Sequence, residues 1–317
     1  MTEQAPAPRP VTQVAVGVLV RDDGAVLLAD RPAGKPYAGY WEFPGGKIES
    51  GESVAQALVR ELAEELGVSV QDSLPWVTME YNYPHAYVRL HFRRILAWTG
   101  VLRAIEGQRL QFLSPGDMPP QPLLPAAIPA MRWIQLPAVT GCSPQTCSSA
   151  GESVAWMENV VERGLRQLIW HEPLLDAAER NAALFACTNL AAAYGLHFLV
   201  DVRSLPLDSS LSGSLAGDAG PGRYLDTPTL RASTVRPEAA WLGAAVETAE
   251  DLAHAAALGC DFAVLDPGGV NADPSQWEAI SRLCGDTPLP VYLAAGTGLA
   301  NLQLANRAGA HGLAIRP

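Results

Sequence analysis

Residues 45–68 read GGKIESGESVAQALVRELAEELGV. Ser53 can cap a helix after the Gly51-Glu52 turn, and Gly67 can stop it. Between them Val54, Ala57, Leu58, Leu62 and Leu66 recur at spacings of three and four, which makes one apolar face. Glu61, Glu64 and Glu65 stand at i, i+3 and i+4, so three carboxylates share a helical face. The segment sets two cations, Lys47 and Arg60, against five carboxylates: Glu49, Glu52, Glu61, Glu64 and Glu65. A merely solvated acidic face would intersperse more lysines. Hard divalent cations want oxygen ligands at this density, and Mg²⁺ combines one or two carboxylates with substrate phosphates. Glycines 45, 46 and 51 let the entering loop turn sharply and offer a bare carbonyl as a further ligand.

Working outward, 12–20 and 25–29 predict two strands joined as a hairpin by Arg21-Asp22-Asp23-Gly24. A Gly- and Pro-rich loop covers 32–51. Residues 77–83 and 86–98 predict further strands, and proline-rich 114–129 predicts an irregular connector. From about residue 133 short apolar runs at 133–136, 165–170, 197–200, 241–245, 262–265, 291–294 and 312–315 alternate with Ala-rich helical stretches at 174–194, 249–258, 275–284 and 299–308. Strand and helix in alternation predict parallel strands with crossovers, and the number of units predicts a (β/α)₈-type barrel. The chain stops two residues after its last apolar run, so the expectation extends to an incomplete barrel lacking its closing helix. Residues 204–222, rich in Gly and Ser, read as loop. The chain is thus an α/β protein of two domains, 1–131 and 132–317.

The chain has 317 residues, 48% of them apolar and 17% charged, enough to build a core and to exclude global disorder. Its 22 Lys and Arg against 33 Asp and Glu give a net charge of −11. That excludes stable binding to nucleic acid or anionic lipid, while a metal ion can still bridge the chain to an anionic small molecule. No apolar run approaches the ~18 residues of a membrane span. No basic head with an apolar stretch opens the chain. The five cysteines fit no zinc framework and read as reduced thiols, so a cytoplasmic location is expected.

Residues 45–68 resemble the signature of the Nudix hydrolases. Gly46, five residues, Glu52, seven residues, then Arg60-Glu61-Leu62-Ala63-Glu64-Glu65-Leu66-Gly67-Val68 matches every fixed position. The resemblance implies an α/β/α sandwich around a mixed sheet, a helix that holds Mg²⁺ or Mn²⁺, and cleavage of a nucleoside diphosphate linked to a further moiety. From 14 to 92 the chain also resembles the MutT-type branch, which hydrolyses oxidised purine nucleoside triphosphates such as 8-oxo-dGTP to monophosphate and pyrophosphate. Trp41-Glu42-Phe43-Pro44-Gly45-Gly46-Lys47, Arg31, Tyr81-Asn82-Tyr83-Pro84-His85 and Glu106-Gly107-Gln108 carry that likeness. It implies that Glu61 orients or deprotonates the attacking water, with Glu106 the alternative base. The metal ligands it implies are the Gly45 carbonyl, Glu61, Glu64, Glu65 and Glu106. Substrate would be bound by Arg31, Glu42, Phe43, Pro44, Gly45 and Lys47, and Glu52 and Arg60 would brace loop and helix. Two positions depart: Ala127 stands where that branch has the asparagine that reads oxidised guanine, so discrimination should be weaker, and Pro36 stands where it has an early-loop histidine.

Residues 244–263 and 309–316 resemble thiamine-phosphate synthase and its regulatory relatives. The family's basic positions after the second strand are here Ile169-Trp170-His171-Glu172. Its phosphate segment is Asp266-Pro267-Gly268-Gly269-Val270, and its late glycine loop is Ala295-Gly296-Thr297. A pyrophosphate site without its cations argues against synthesis. A thiamine phosphate synthase and a ligand-sensing module that regulates a hydrolase of some other nucleoside diphosphate derivative both stay open as alternatives.

Overall fold

Ser53 Oγ accepts from Gln56 N at 3.3 Å while Gln56 Oε1 accepts from Ser53 N at 2.8 Å, a reciprocal capping box that starts helix α1, Val54–Leu66. Gly67, at φ 68°, ends it in the left-handed conformation and donates its N–H to Ala63 O. These features come from a computed structural model that describes residues 10–205, 220–268, 274–296 and 299–317. The chain divides into two compact units, Met1–Gln135 and Leu136–Pro317.

The first unit contains β1 (Val11–Leu19), β2 (Val26–Asp30), β3 (Trp41–Glu42), β4 (Gly45–Lys47), α1, β5 (Ser69–Asn82), β6 (Tyr87–Thr99), β7 (Leu110–Leu113) and α2 (Ile128–Trp133). A mixed four-stranded sheet has the order β4-β1-β6-β5, with β1 parallel to β6 and the other pairs antiparallel. An antiparallel sheet has the order β3-β2-β7. Ala57, Leu58, Leu62 and Leu66 of α1 pack with Ala15, Leu19 and Ile95. Gly17 permits that approach, because a Cβ there would meet Ile95 and Leu58.

The predicted hairpin is only partly realised. Its turn forms, with Gly24 N donating to Arg21 O at 2.8 Å. The strands then part after a single bridge, Val20 to Val26, and enter different sheets. The second half of β1, Ala15 to Leu19, and β2 from Val26 to Ala29 are buried. An isolated hairpin would leave one face in water, whereas dividing the pair between sheets covers both faces.

In the second unit eight parallel strands close into a barrel: β8 (Val139–Cys142), β9 (Gln167–Trp170), β10 (His197–Asp201), β11 (Gly222–Leu225), β12 (Leu242–Val246), β13 (Phe262–Leu265), β14 (Val291–Ala294) and β15 (Gly312–Ile315). The strand circle is complete, since β15 pairs with β8, and no helix follows β15 among the described residues. Helices α3 (Ala150–Glu162), α4 (Ala177–Tyr194), α5 (Thr227–Ala232), α6 (Ala249–Leu258), α7 (Pro274–Cys284) and α8 (Leu302–Arg307) lie between the strands in sequence. Leu242, Ala244 and Val246 of β12 pack with Leu252 and Ala255 of α6, the alternation expected of a strand with one face toward helices.

One predicted strand is absent and one strand is unpredicted. Residues 133–136 are not a strand: Trp133 ends α2, and the first barrel strand starts at Val139. Trp133 and Leu136 are buried, so the apolar run reported burial without specifying the backbone. Strand β11 is the unpredicted one: only its first residue, Gly222, falls in the 204–222 loop reading, and its sequence GRYL is too short and mixed to signal a strand. Residues 206–219 lie outside the described residues, as do Gly269, Val270 and Thr297 of the phosphate and glycine segments. No described helix is long and apolar enough to cross a membrane.

Candidate active site

Gly45 opens β4 beside α1. It has φ 145°, and a Cβ there would overlap Ala15 O, so no other residue could keep the β1–β4 pairing as close. Its N–H donates to Glu65 Oε2 at 3.2 Å, and this ties loop to helix. Gly46 plays a similar part beside Glu61, whose carboxylate lies where a Cβ of residue 46 would be. Arg60 donates from Nε and Nη2 to the two oxygens of Glu52 and from Nη1 to Glu61 Oε1 at 2.7 Å, and Nη2 also reaches Lys47 O. That forked hydrogen bond holds the Glu52 carboxyl down at about 2 and the Arg60 guanidinium above its ordinary value. Glu64 faces solvent, 3.6 Å from Arg60.

Glu65 is different. Burial pushes its carboxyl up to about 7, with Lys35 opposing and the nearby Glu106 and Glu42 adding to the rise. Lys35 Nζ lies 2.6 Å from Glu106 and 4.0 Å from Glu65. Arg31 Nη1 donates to both oxygens of Glu42 at 2.7 Å, and Arg31 Nε to Pro36 O at 2.7 Å. Burial raises the Glu42 carboxyl, against the pull of Arg31.

The structure therefore brings Glu42, Glu65 and Glu106 into one electrostatic neighbourhood and sets Glu52, Arg60, Glu61 and Glu64 along the helix beside it. Among the described residues no three His, Cys, Asp or Glu side chains converge on one metal-holding point. Arg60 and Lys35 instead hold the carboxylates individually. The donor set still suits a hard divalent cation: the candidate ligating atoms are all oxygens, and the half-buried Glu65 has Lys35 as a cation 4.0 Å away that a metal ion could supplant. Phe43 and Pro44 sit in the core, Phe43 edge-on to Phe92 and Pro44 O accepting from Gly17 N. Lys47 is exposed.

Sequence reading missed Lys35 and Gln108 as parts of this neighbourhood. Gln108 is buried and donates to Glu65 O at 2.9 Å. Lys35 lies 71 positions from Glu106, so no local spacing could signal the contact.

A model described as NUDIX domain matches residues 11–137. The CTP pyrophosphohydrolase of Escherichia coli is 40% identical over 117 residues, which span 37% of this chain and 87% of that protein. The chain belongs to the Nudix hydrolase family. It is therefore an enzyme, and its family generally uses a divalent metal ion. The 8-oxo-dGTP diphosphatase of Escherichia coli is 37% identical over 102 residues, 32% of this chain and 79% of that one. A solved MutT structure, from work on the Aliivibrio salmonicida and Vibrio cholerae proteins, covers 40% of this chain and 98% of its own, at 28% identity and a TM-score of 0.33.

The second unit of this Nudix protein matches a model described as Thiamine monophosphate synthase over 138–316. At the C-terminal ends of its strands, Trp170 and Glu172 are fully buried. Both Glu172 oxygens accept backbone N–H groups, from Gln145 and Cys147, which braces the loop after β8. Asp201, at the end of β10, is held by Arg203 at both oxygens. These positions serve the structure of the barrel.

Proposed function

We propose that this Nudix protein hydrolyses nucleoside triphosphates to a monophosphate and pyrophosphate in a Mg²⁺-dependent reaction (Mn²⁺ substituting), and that oxidised nucleotides such as 8-oxo-dGTP are among its substrates. The observation that carries this reading is the complete signature folded as a capped helix whose Glu65 accepts from Gly45 N and whose Glu61 lies against Gly46. Glu61, Glu64, Glu65, Glu106 and the Gly45 carbonyl would hold the cation. When bound, Mg²⁺ supplies charge neutralisation of the triphosphate and Lewis-acid polarisation of a phosphoryl oxygen.

The chain's own residues do the rest. Glu61, fixed against Gly46 by Arg60, orients the attacking water and accepts its proton. Glu106, paired with Lys35, is the alternative base. An anionic substrate would compete with Glu42 for the Arg31 guanidinium. Glu52 and Arg60 keep helix and loop in register. The Nudix domain is taken to end at residue 135, and the barrel to act as a ligand-sensing or regulatory module, because the strand-end positions of the synthase family are spent on loop bracing. Clearance of damaged nucleotides in the cytoplasm is the role this chemistry fits.

The test is a nucleotide panel given to the whole chain with Mg²⁺, reading pyrophosphate against orthophosphate. Pyrophosphate from 8-oxo-dGTP, dGTP or CTP is expected. Orthophosphate alone, or turnover unchanged by chelation of divalent ions, would overturn the proposal.

A further inference from the structure

Tyr37 adopts φ 62°, a left-handed conformation that a bulky side chain rarely takes. The loop around it enforces that shape. Gly39 N donates to Arg31 O at 2.8 Å, Tyr40 N to Tyr37 O at 3.1 Å, and Arg31 Nε holds the carbonyl of Pro36, the residue just before the tyrosine. The strained backbone directs the ring into an aromatic group. Its centroid lies 5.2 Å from Tyr40, 5.5 Å from Tyr83 and 5.7 Å from His85. Tyr83 in turn accepts a hydrogen bond from Ala126 N at 3.3 Å, so these rings stand beside the segment that contains Ala127. Arg31 thus holds both Glu42 and the loop that carries Tyr37.

Strain that the surrounding structure over-determines marks a functional position. At Ala127 no side-chain amide is present to pair with the edge of a base. A planar ring, by contrast, can engage the π-face that every base has, and such stacking tolerates changes of base. We propose that Tyr37 is a specificity-determining residue that stacks on the nucleobase, so that this enzyme selects substrates by the base's aromatic face and accepts purines and pyrimidines alike. The inference rests on the nucleotide-hydrolase reading and deepens it.

The experiment uses the full chain with Mg²⁺ and CTP, dGTP and 8-oxo-dGTP, comparing wild type, Tyr37→Gly and Tyr37→Phe. Glycine takes φ 62° without strain, so the loop path survives the loss of the ring. Tyr37→Gly should raise KM for all three nucleotides by about tenfold, the size of a lost stacking contact, with kcat within about twofold. Tyr37→Phe should resemble wild type. Inorganic triphosphate, which has no base, should inhibit wild type and Tyr37→Gly with equal Ki. An active enzyme whose KM is indifferent to Tyr37→Gly overturns the stacking role and leaves the hydrolase reading intact. So does a loss confined to one nucleotide, or a Ki that rises as far as KM. A wild type that hydrolyses none of the three overturns both.

Discussion

Arg60 grips Glu52 with two arms of its guanidinium, Nε at 2.8 Å from one carboxylate oxygen and Nη2 at 2.9 Å from the other, and its third nitrogen reaches Glu61. The loop that enters α1 and the residue placed nearest the chemistry are therefore held by one planar group. Lysine has a compact ammonium and cannot make the fork. Arg60→Lys should lower kcat by at least tenfold, as Glu61 loses its orientation, with KM little changed. Unaltered kcat would show that Glu61 is positioned without Arg60.

Glu61→Gln and Glu65→Gln should each reduce kcat by about 10²- to 10⁴-fold, the range for removing a positioned base or a ligand that serves one. Circular dichroism should be unchanged, because the helix is anchored by Leu58, Leu62 and Leu66. Full turnover by Glu65→Gln at matched Mg²⁺ would remove this helix from the mechanism.

The first unit should work alone if cut after Gln135 and fail if cut after Met131. Trp133 is buried and packs edge-on to Trp76 at 6.2 Å. Losing a buried tryptophan costs about 3–5 kcal/mol. Fragment 1–135 should be folded and active, and fragment 1–131 should unfold at markedly lower urea. Equal midpoints would refute the role of Trp133. A folded but inactive 1–135 would mean that the barrel contributes to activity.

Ala127→Asn should raise the preference for 8-oxo-dGTP over dGTP by about ten- to a hundredfold, taking ~1.4 kcal/mol per decade for an added base-edge contact. Ala127 is 4% exposed, so the larger side chain also strains the core, by about 1–3 kcal/mol. The check is kcat/KM for both nucleotides beside the melting temperature. A wild type that already discriminates strongly, with no gain in the variant, would place recognition elsewhere.

The barrel should weaken in acid through Asp251. Arg231 donates to both of its oxygens, and the backbone N–H groups of Glu247 and Thr248 add to the cradle. These bonds, Arg231 first, hold its carboxyl near 2, below the ordinary 3.8. A depressed folded value stabilises the native state above pH ~4, and that contribution fades as pH falls toward 2. The stability gap between wild type and Asp251→Asn should be constant from pH 7 to 5 and close between pH 4 and 2. A gap that persists at pH 2 would contradict the assignment.

Residues 45–68 determined helix α1, its caps and its acidic face locally, because 3.6-residue periodicity and capping chemistry involve partners three or four positions away. The barrel strands at 262–265, 291–294 and 312–315 were legible for a related reason: a strand buried on both faces must be apolar throughout. Only the tertiary structure separated β1 from β2 into different sheets and revealed β11, whose GRYL is a strand because its neighbours on both sides supply hydrogen bonds. The site divides the same way. Glu61, Glu64 and Glu65 belong to one helix, so their common face was written in their spacing. Lys35 against Glu106, Arg31 against Glu42, and Tyr37 against Tyr83 join residues far apart in the chain, and long-range contacts leave no periodic trace in sequence.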